Sequence, residues 1–197
     1  MFDRALGAAG AISRAGVWAS GALFLAAAFL IAADVIARKA FSISIGGSDE
    51  LSGYCLAMGA AWSFAFALLH RANIRVDALY KYLPSMLKAA FDVLALVALA
   101  AFMAVVAYFA FEVLASSVRF ASRANTPLQT PLWIPQAIWF AGLAYFLVTL
   151  FLVTLKALLL FAGRRYAELG QLAGLPSAKE EVEEELASVK ARSGPAP

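Results

Sequence analysis

Val93-Leu-Ala-Leu-Val-Ala-Leu-Ala-Ala-Phe-Met-Ala-Val-Val-Ala-Tyr-Phe-Ala-Phe111 contains no Asp, Glu, Lys or Arg. At about 19 residues it is close to the ~20 that a helix needs to cross ~30 Å of hydrocarbon. A water-soluble helix of that length keeps a polar face, whereas this one is apolar all round, so its solvent is lipid or lipid-facing protein. Ala15–Ala33 and Leu51–Leu69 repeat the pattern before it, and the longer Leu132–Leu155 repeats it after. The fold class is therefore all-α, a polytopic membrane protein with four transmembrane helices.

The composition agrees: 63% hydrophobic, 15% charged and a mean hydropathy of +0.79 lie outside the range of a soluble domain. With 197 residues distributed over four spans, there is no room for a separate soluble domain. Residues 1–165 read as the four-helix transmembrane domain and 166–197 as a polar cytoplasmic tail. The net charge of +3 does not point to nucleic acid, because the basic residues cluster at span ends, where headgroups and topology account for them. The apolar run after Arg4 and Arg14 exceeds a signal-peptide core and ends at Asp34, Arg38 and Lys39, so it reads as a retained first helix.

The same charges orient the chain. With a cytoplasmic N-terminus, Arg4, Arg14, Arg71, Arg75, Lys81, Lys88, Arg164 and Arg165 face the cytoplasm, against Arg38, Lys39, Arg119 and Arg123 outside. The positive-inside rule then places both termini in the cytoplasm.

The connections carry the remaining polar residues. Between the first two spans, Gly46-Gly47 breaks any helix, Ser48 is a candidate N-cap, and Asp49 and Glu50 sit in the first turn, where the helix dipole favours negative charge. A second reading makes Asp49 and Glu50, with Arg38 nearby, an external charged cluster that holds a basic partner. After the second span, Val76, Leu79, Tyr80 and Leu83 recur at helical spacing among Arg75, Asp77 and Lys81. This predicts a short amphipathic helix lying in the interface and ended by Pro84, with Arg75 and Asp77 near the headgroups. The third helix has no breaker between Glu112 and Arg119, so it is expected to run on; Glu112 then needs a counter-charge from Arg119, Arg123 or another subunit. Pro131 or Pro135 suits the first turn of the fourth span, flanked by Trp133 and Trp139 as interfacial anchors.

No catalytic constellation is present, so the chain does not read as an enzyme. His70 is the single histidine, which excludes two-histidine haem ligation within the chain, and Cys55 is the single cysteine, which excludes a disulfide or thiolate cluster. His70 reads as a solvated residue at a span end. There is no P-loop and no dinucleotide-binding glycine pattern. The span centres are uncharged and proline-free, unlike those of a transporter that works alone. Gly53, Ala57 and Ala61 recur every four residues in the second span, the spacing that admits a close helix, either from the same bundle or from a second subunit.

Asp34-x-x-x-Arg38-x-x-Phe41, Ser48-Asp-Glu-Leu51-x-x-Tyr54, Asn73-Ile-Arg-Val-Asp77, Leu83-Pro84 and Pro131-Leu-Trp-Ile-Pro135, in that order over about residues 15–160, resemble the small membrane subunit, DctQ type, of tripartite ATP-independent periplasmic (TRAP) transporters. The chain departs from the pattern at Asn73, where members commonly carry His. The resemblance implies a bacterial inner-membrane complex in which a large membrane subunit carries the sodium and substrate sites. A periplasmic binding protein delivers the solute, typically an organic acid, and the small subunit acts as a fixed scaffold. It implies no cofactor in this chain, and partners limited to the large subunit, the binding protein and membrane lipids. Arg38, Asp49, Glu50, Gly53, Ala57, Ala61, Arg75, Asp77 and Glu112 are then the candidate contacts with subunit or lipid. Two rival classes are a self-sufficient four-helix exporter, which would place a carboxylate in mid-helix where Asp34 is terminal, and the membrane anchor of a quinone-linked enzyme, which would supply haem-ligating histidines.

Overall fold

The computed structural model describes residues 2–44, 46–72 and 83–174, together with 186. Five helices are present among them: α1 Phe2–Phe41, α2 Ser48–Leu69, α3 Ser85–Arg119, α4 Trp133–Ala162 and α5 Tyr166–Ala173. The first four are long and apolar enough to cross a membrane. The amphipathic helix expected around Val76–Leu83, with Arg75 and Asp77, lies in a segment outside the described residues apart from Leu83 itself.

The ends of the helices follow from backbone chemistry. Gly46 and Gly47 take left-handed φ values of 50° and 90°, which a residue without a Cβ adopts freely, and Gly47 rather than Ser48 is the N-cap of α2. Ser48 is instead the first helical residue, and no side chain caps this end. Pro84 precedes α3, as expected of a residue that cannot continue a helix from behind. Pro135 falls in the first turn of α4, where its missing N–H leaves no bond unmade.

The C-terminal ends of α2, α3 and α4 close in one way. Ala72 N–H donates to Ala67 O and Arg71 N–H to Leu68 O; Ser122 and Ala121 do the same to Ser117 and Val118, and Arg165 and Arg164 to Leu160 and Phe161. These are Schellman closures, whose left-handed position is ordinarily Gly. Here it holds Arg71, Ala121 and Arg164, at φ 52°, 46° and 56°.

Helix neighbours run in the spatial order α1, α2, α4, α3, with α4 also touching α1 and α5. Of the most apolar window of each span, 44% is buried in α4 against 11% in α1, so α4 is the central post and α1 the outermost helix. Ala61, Ala65 and Leu68 of α2, Leu96, Met103 and Ala110 of α3, and Leu143, Phe146, Leu150, Val153 and Ala157 of α4 form the core. Lipid tails are as apolar as these side chains, so close van der Waals packing rather than burial from water holds the spans together.

Small residues make that closeness possible. α1 presents Ala9, Ser13, Gly16, Ser20 and Ala27, all buried, along one stripe. A Cβ at Gly16 would lie 3.2 Å from Trp62 O, and one at Gly59 would lie 2.5 Å from the Phe24 ring. Trp62 lies between α1 and α4: its Nε1–H donates to Ile138 O at 3.1 Å, its ring stacks on Tyr145 at 5.9 Å, and Gly142 leaves room for it. Tyr145 in turn donates from its hydroxyl to Ala9 O at 2.5 Å. α5 falls within the stretch read from sequence as polar tail; it folds back so that Leu169, fully buried, packs with Ala89 of α3 and Leu160 of α4.

Candidate functional site

Polar side chains concentrate at the two rims of the bundle. At the rim that carries the α1–α2 and α3–α4 connections, Asp34 is 1% exposed near the end of α1. Its carboxylate accepts from Arg38 one turn on and from Ser44 Oγ at 3.2 Å, and Ser44 Oγ accepts from Gly46 N–H at 3.4 Å. A nearly buried carboxylate is stable only with such partners, and the Ser44 bond to Asp34 fastens the α1–α2 connection onto α1.

The α3–α4 connection folds over the α1–α2 connection. Arg123 and Pro131 form an antiparallel bridge, Ala124 N–H donates to Thr130 O and Leu132 N–H to Ser122 O, which makes 122–132 a compact loop. Leu128 from this loop sits against Gly47, where an added Cβ would lie only 1.9 Å from Leu128 Cδ1. Glu50 completes the joint: one carboxylate oxygen accepts from Tyr54 OH at 2.7 Å and the other from Thr126 Oγ1. Bonds to an ionised acceptor are the stronger kind. Glu50 thus braces the α1–α2 hairpin against the α3–α4 loop.

The residues singled out by sequence fall into different surroundings. Arg38 joins Asp34, with Asp49 adding a weaker attraction, and does not join Glu50. Asp49 is exposed, while Glu50 is half-buried and already engaged within the chain. Gly53 is exposed beside a groove against Phe24 and Ile31 of α1. Ala57 is exposed in a cleft of about 270 Å³ against Pro135, Gln136 and Trp139 of α4, and Ala61 lies in the core. The small-residue stripe therefore divides among three environments. Arg75 and Asp77 lie outside the described residues. Glu112 is exposed on α3 and, among the described residues, bonded to neither Arg119 nor any other group; Arg123 donates to Gln129 O instead.

At the opposite rim Asp92 is 1% exposed and, like Arg71, Lys88 and Lys156, is held in polar interactions. His70 is exposed, stacks on Phe66 with ring centres 3.8 Å apart and donates from Nδ1 to Phe66 O at 3.0 Å, as suits a span-end residue. Asp34 as the partner of Arg38 was open to sequence reasoning, since the two are four residues apart. Thr126, 76 residues from Glu50, left no such signal.

Inside the spans the hydroxyls are turned onto their own helices: Ser13, Ser20, Ser63, Thr149 and Thr154 each donate to the carbonyl three or four residues back. In a bilayer such a bond satisfies the hydroxyl hydrogen locally. Among the described residues no three His, Cys, Asp or Glu side chains converge. What the geometry builds is braces and exposed apolar helix faces.

The family model for the DctQ component of tripartite ATP-independent periplasmic transporters matches residues 17–162, from the middle third of α1 to the last residue of α4. No curated protein and no solved structure matches the chain.

Proposed function

This chain belongs to the DctQ component family of tripartite ATP-independent periplasmic transporters, and we propose that it serves there as a fixed scaffold that braces the large membrane subunit during sodium-coupled uptake. The solute is an organic acid delivered by a periplasmic binding protein, and sodium and solute bind on the large subunit. The complex sits in the bacterial inner membrane with both termini of this chain cytoplasmic. One observation carries the scaffold reading: Asp34, Glu50, Trp62 and the span hydroxyls all bond within this chain, the first three to neighbouring loops or helices and the hydroxyls to their own helices, while the outward faces of its spans are largely apolar. A moving transport domain needs bistable contacts; a brace needs the opposite, and the Asp34, Glu50 and Trp62 joints supply it.

Reconstitution in liposomes tests the reading. The subunit alone, under a sodium gradient with candidate organic acids and the binding protein, is expected to give no saturable uptake, and uptake is expected once the large subunit is added; saturable uptake by the subunit alone would refute it. Orientation is read separately in a Cys55→Ala background: a membrane-impermeant maleimide applied from outside should label Asn125→Cys and leave Gln171→Cys unlabelled.

A further inference from the structure

We propose that the face of α3 bearing Glu112 docks onto the large membrane subunit, and that a Lys or Arg side chain on the helix that covers it neutralises Glu112. The proposal rests on the scaffold reading and adds to it the face, the residue and the charge of the partner group.

Glu112 is nine residues from Met103, about two and a half turns at 3.6 residues per turn, so it projects from the side of α3 opposite the core residues Met103, Ala107 and Ala110. The residues on that side are apolar and exposed, Tyr108 at 61% and Val105 at 55% one and two turns away and Leu94 at 60% near the other end of the helix. The adjoining Phe111 ring meets Phe140 of α4 at 5.7 Å, seven residues into that helix. At 1.5 Å per residue this sets Glu112 roughly 10 Å below Trp133, among the apolar side chains of the outer half of the span rather than on the loops.

A carboxylate in that setting is costly unless it meets a counter-charge. The cations that sequence spacing offers do not serve. Arg119 stands seven residues further along α3, about 10 Å, and is not bonded to Glu112, while Arg123 is turned to Gln129 O. Among the described residues no cation meets Glu112, and the neutralising group is assigned to the covering helix. A basic side chain on a packed helix reaches this depth, and the exposed Ala98 and Ala101 lower on the same face allow that helix to approach closely.

Co-expression of the tagged chain with the large subunit tests this. A benzoylphenylalanine probe at position 108 should photo-cross-link the large subunit. Glu112→Arg should lower co-purification at least tenfold and Glu112→Gln severalfold, with thermal unfolding of the isolated chain unchanged in both. An acidic residue placed at the cross-linked basic position of the large subunit should restore co-purification of Glu112→Arg. Wild-type recovery of Glu112→Arg, cross-linking to lipid alone, or destabilisation of the isolated chain by Glu112→Gln would each overturn the inference while leaving the scaffold reading intact. Failure of the wild-type chain to retain the large subunit would overturn both.

Discussion

Gly142 and Gly53 offer a paired test of whether close helix approach stabilises this bundle. Both are helical glycines, so changing either to Ala gains about the same ~1 kcal/mol of helix propensity. Their surroundings differ. Nothing lies within 4 Å of a Cβ at Gly53, whereas one at Gly142 would sit 2.9 Å from Trp62 Cδ1 and 3.0 Å from Ala61 Cβ. The Trp62 ring cannot swing aside cheaply, because its Nε1–H bond to Ile138 O and its stack on Tyr145 fix it. Overpacking of this kind costs about 1–3 kcal/mol. Propensity cancels in the comparison, so Gly142→Ala should be less stable than Gly53→Ala by about 1–3 kcal/mol, roughly a 5- to 150-fold change in the folding equilibrium. Reversible unfolding of the isolated chain in mixed micelles, followed by circular dichroism, measures the difference. Equal stability, or greater stability for Gly142→Ala, would refute the account of Trp62 as a locked contact between α2 and α4. Combining Gly142→Ala with Trp62→Phe, which frees space, should destabilise by less than the sum of the two single changes.

Three further outcomes are expected. Leu169→Ala removes a fully buried side chain and should weaken the docking of α5 by about 2–5 kcal/mol, read as faster proteolysis within 166–173 with the four spans still folded. Ala121→Gly relieves a left-handed residue at a Schellman closure and should stabilise the chain by about 1 kcal/mol; a loss of stability would contradict that geometry. Thr126→Val removes the Thr126 bond to Glu50, and the amides of Ala124 and Leu132 in the α3–α4 loop should exchange faster with deuterium while those of α4 keep their protection.

The spans were legible because length and the lack of charge suffice to recognise them, and Gly46-Gly47, Pro84 and Pro135 marked boundaries for plain steric reasons. Neighbour relations were not legible. In a soluble bundle the apolar stripe identifies the packed side, but here every side of α1 and α3 is apolar, and the informative residues are the small ones. The stripe Ala9, Ser13, Gly16, Ser20 and Ala27 was readable in principle, whereas the sequence reading chose Gly53, Ala57 and Ala61, of which only Ala61 reaches the core. α5 escaped because eight residues with two buried positions make a weak pattern inside a polar stretch. At the rim of the α1–α2 and α3–α4 connections, the pairing of Arg38 with Asp34 was within reach of its four-residue spacing, whereas Glu50 meets a threonine 76 residues away, which no local pattern announces.

The spatial order α1, α2, α4, α3 also carries a timetable. Chains enter the bilayer N-terminus first, and α1 and α2 can pair as soon as both are inserted. The third span has a different fate: its main partners, α4 and α5, are synthesised after it. Until the fourth span arrives, the nearly buried Asp92 and the core positions Leu96, Met103 and Ala110 have no finished bundle to enter. The interval between synthesis of Arg119 and of Ala162 is therefore the stage at which membrane quality control has most to recognise. Chains interrupted in that interval should be degraded faster than chains stopped after α2.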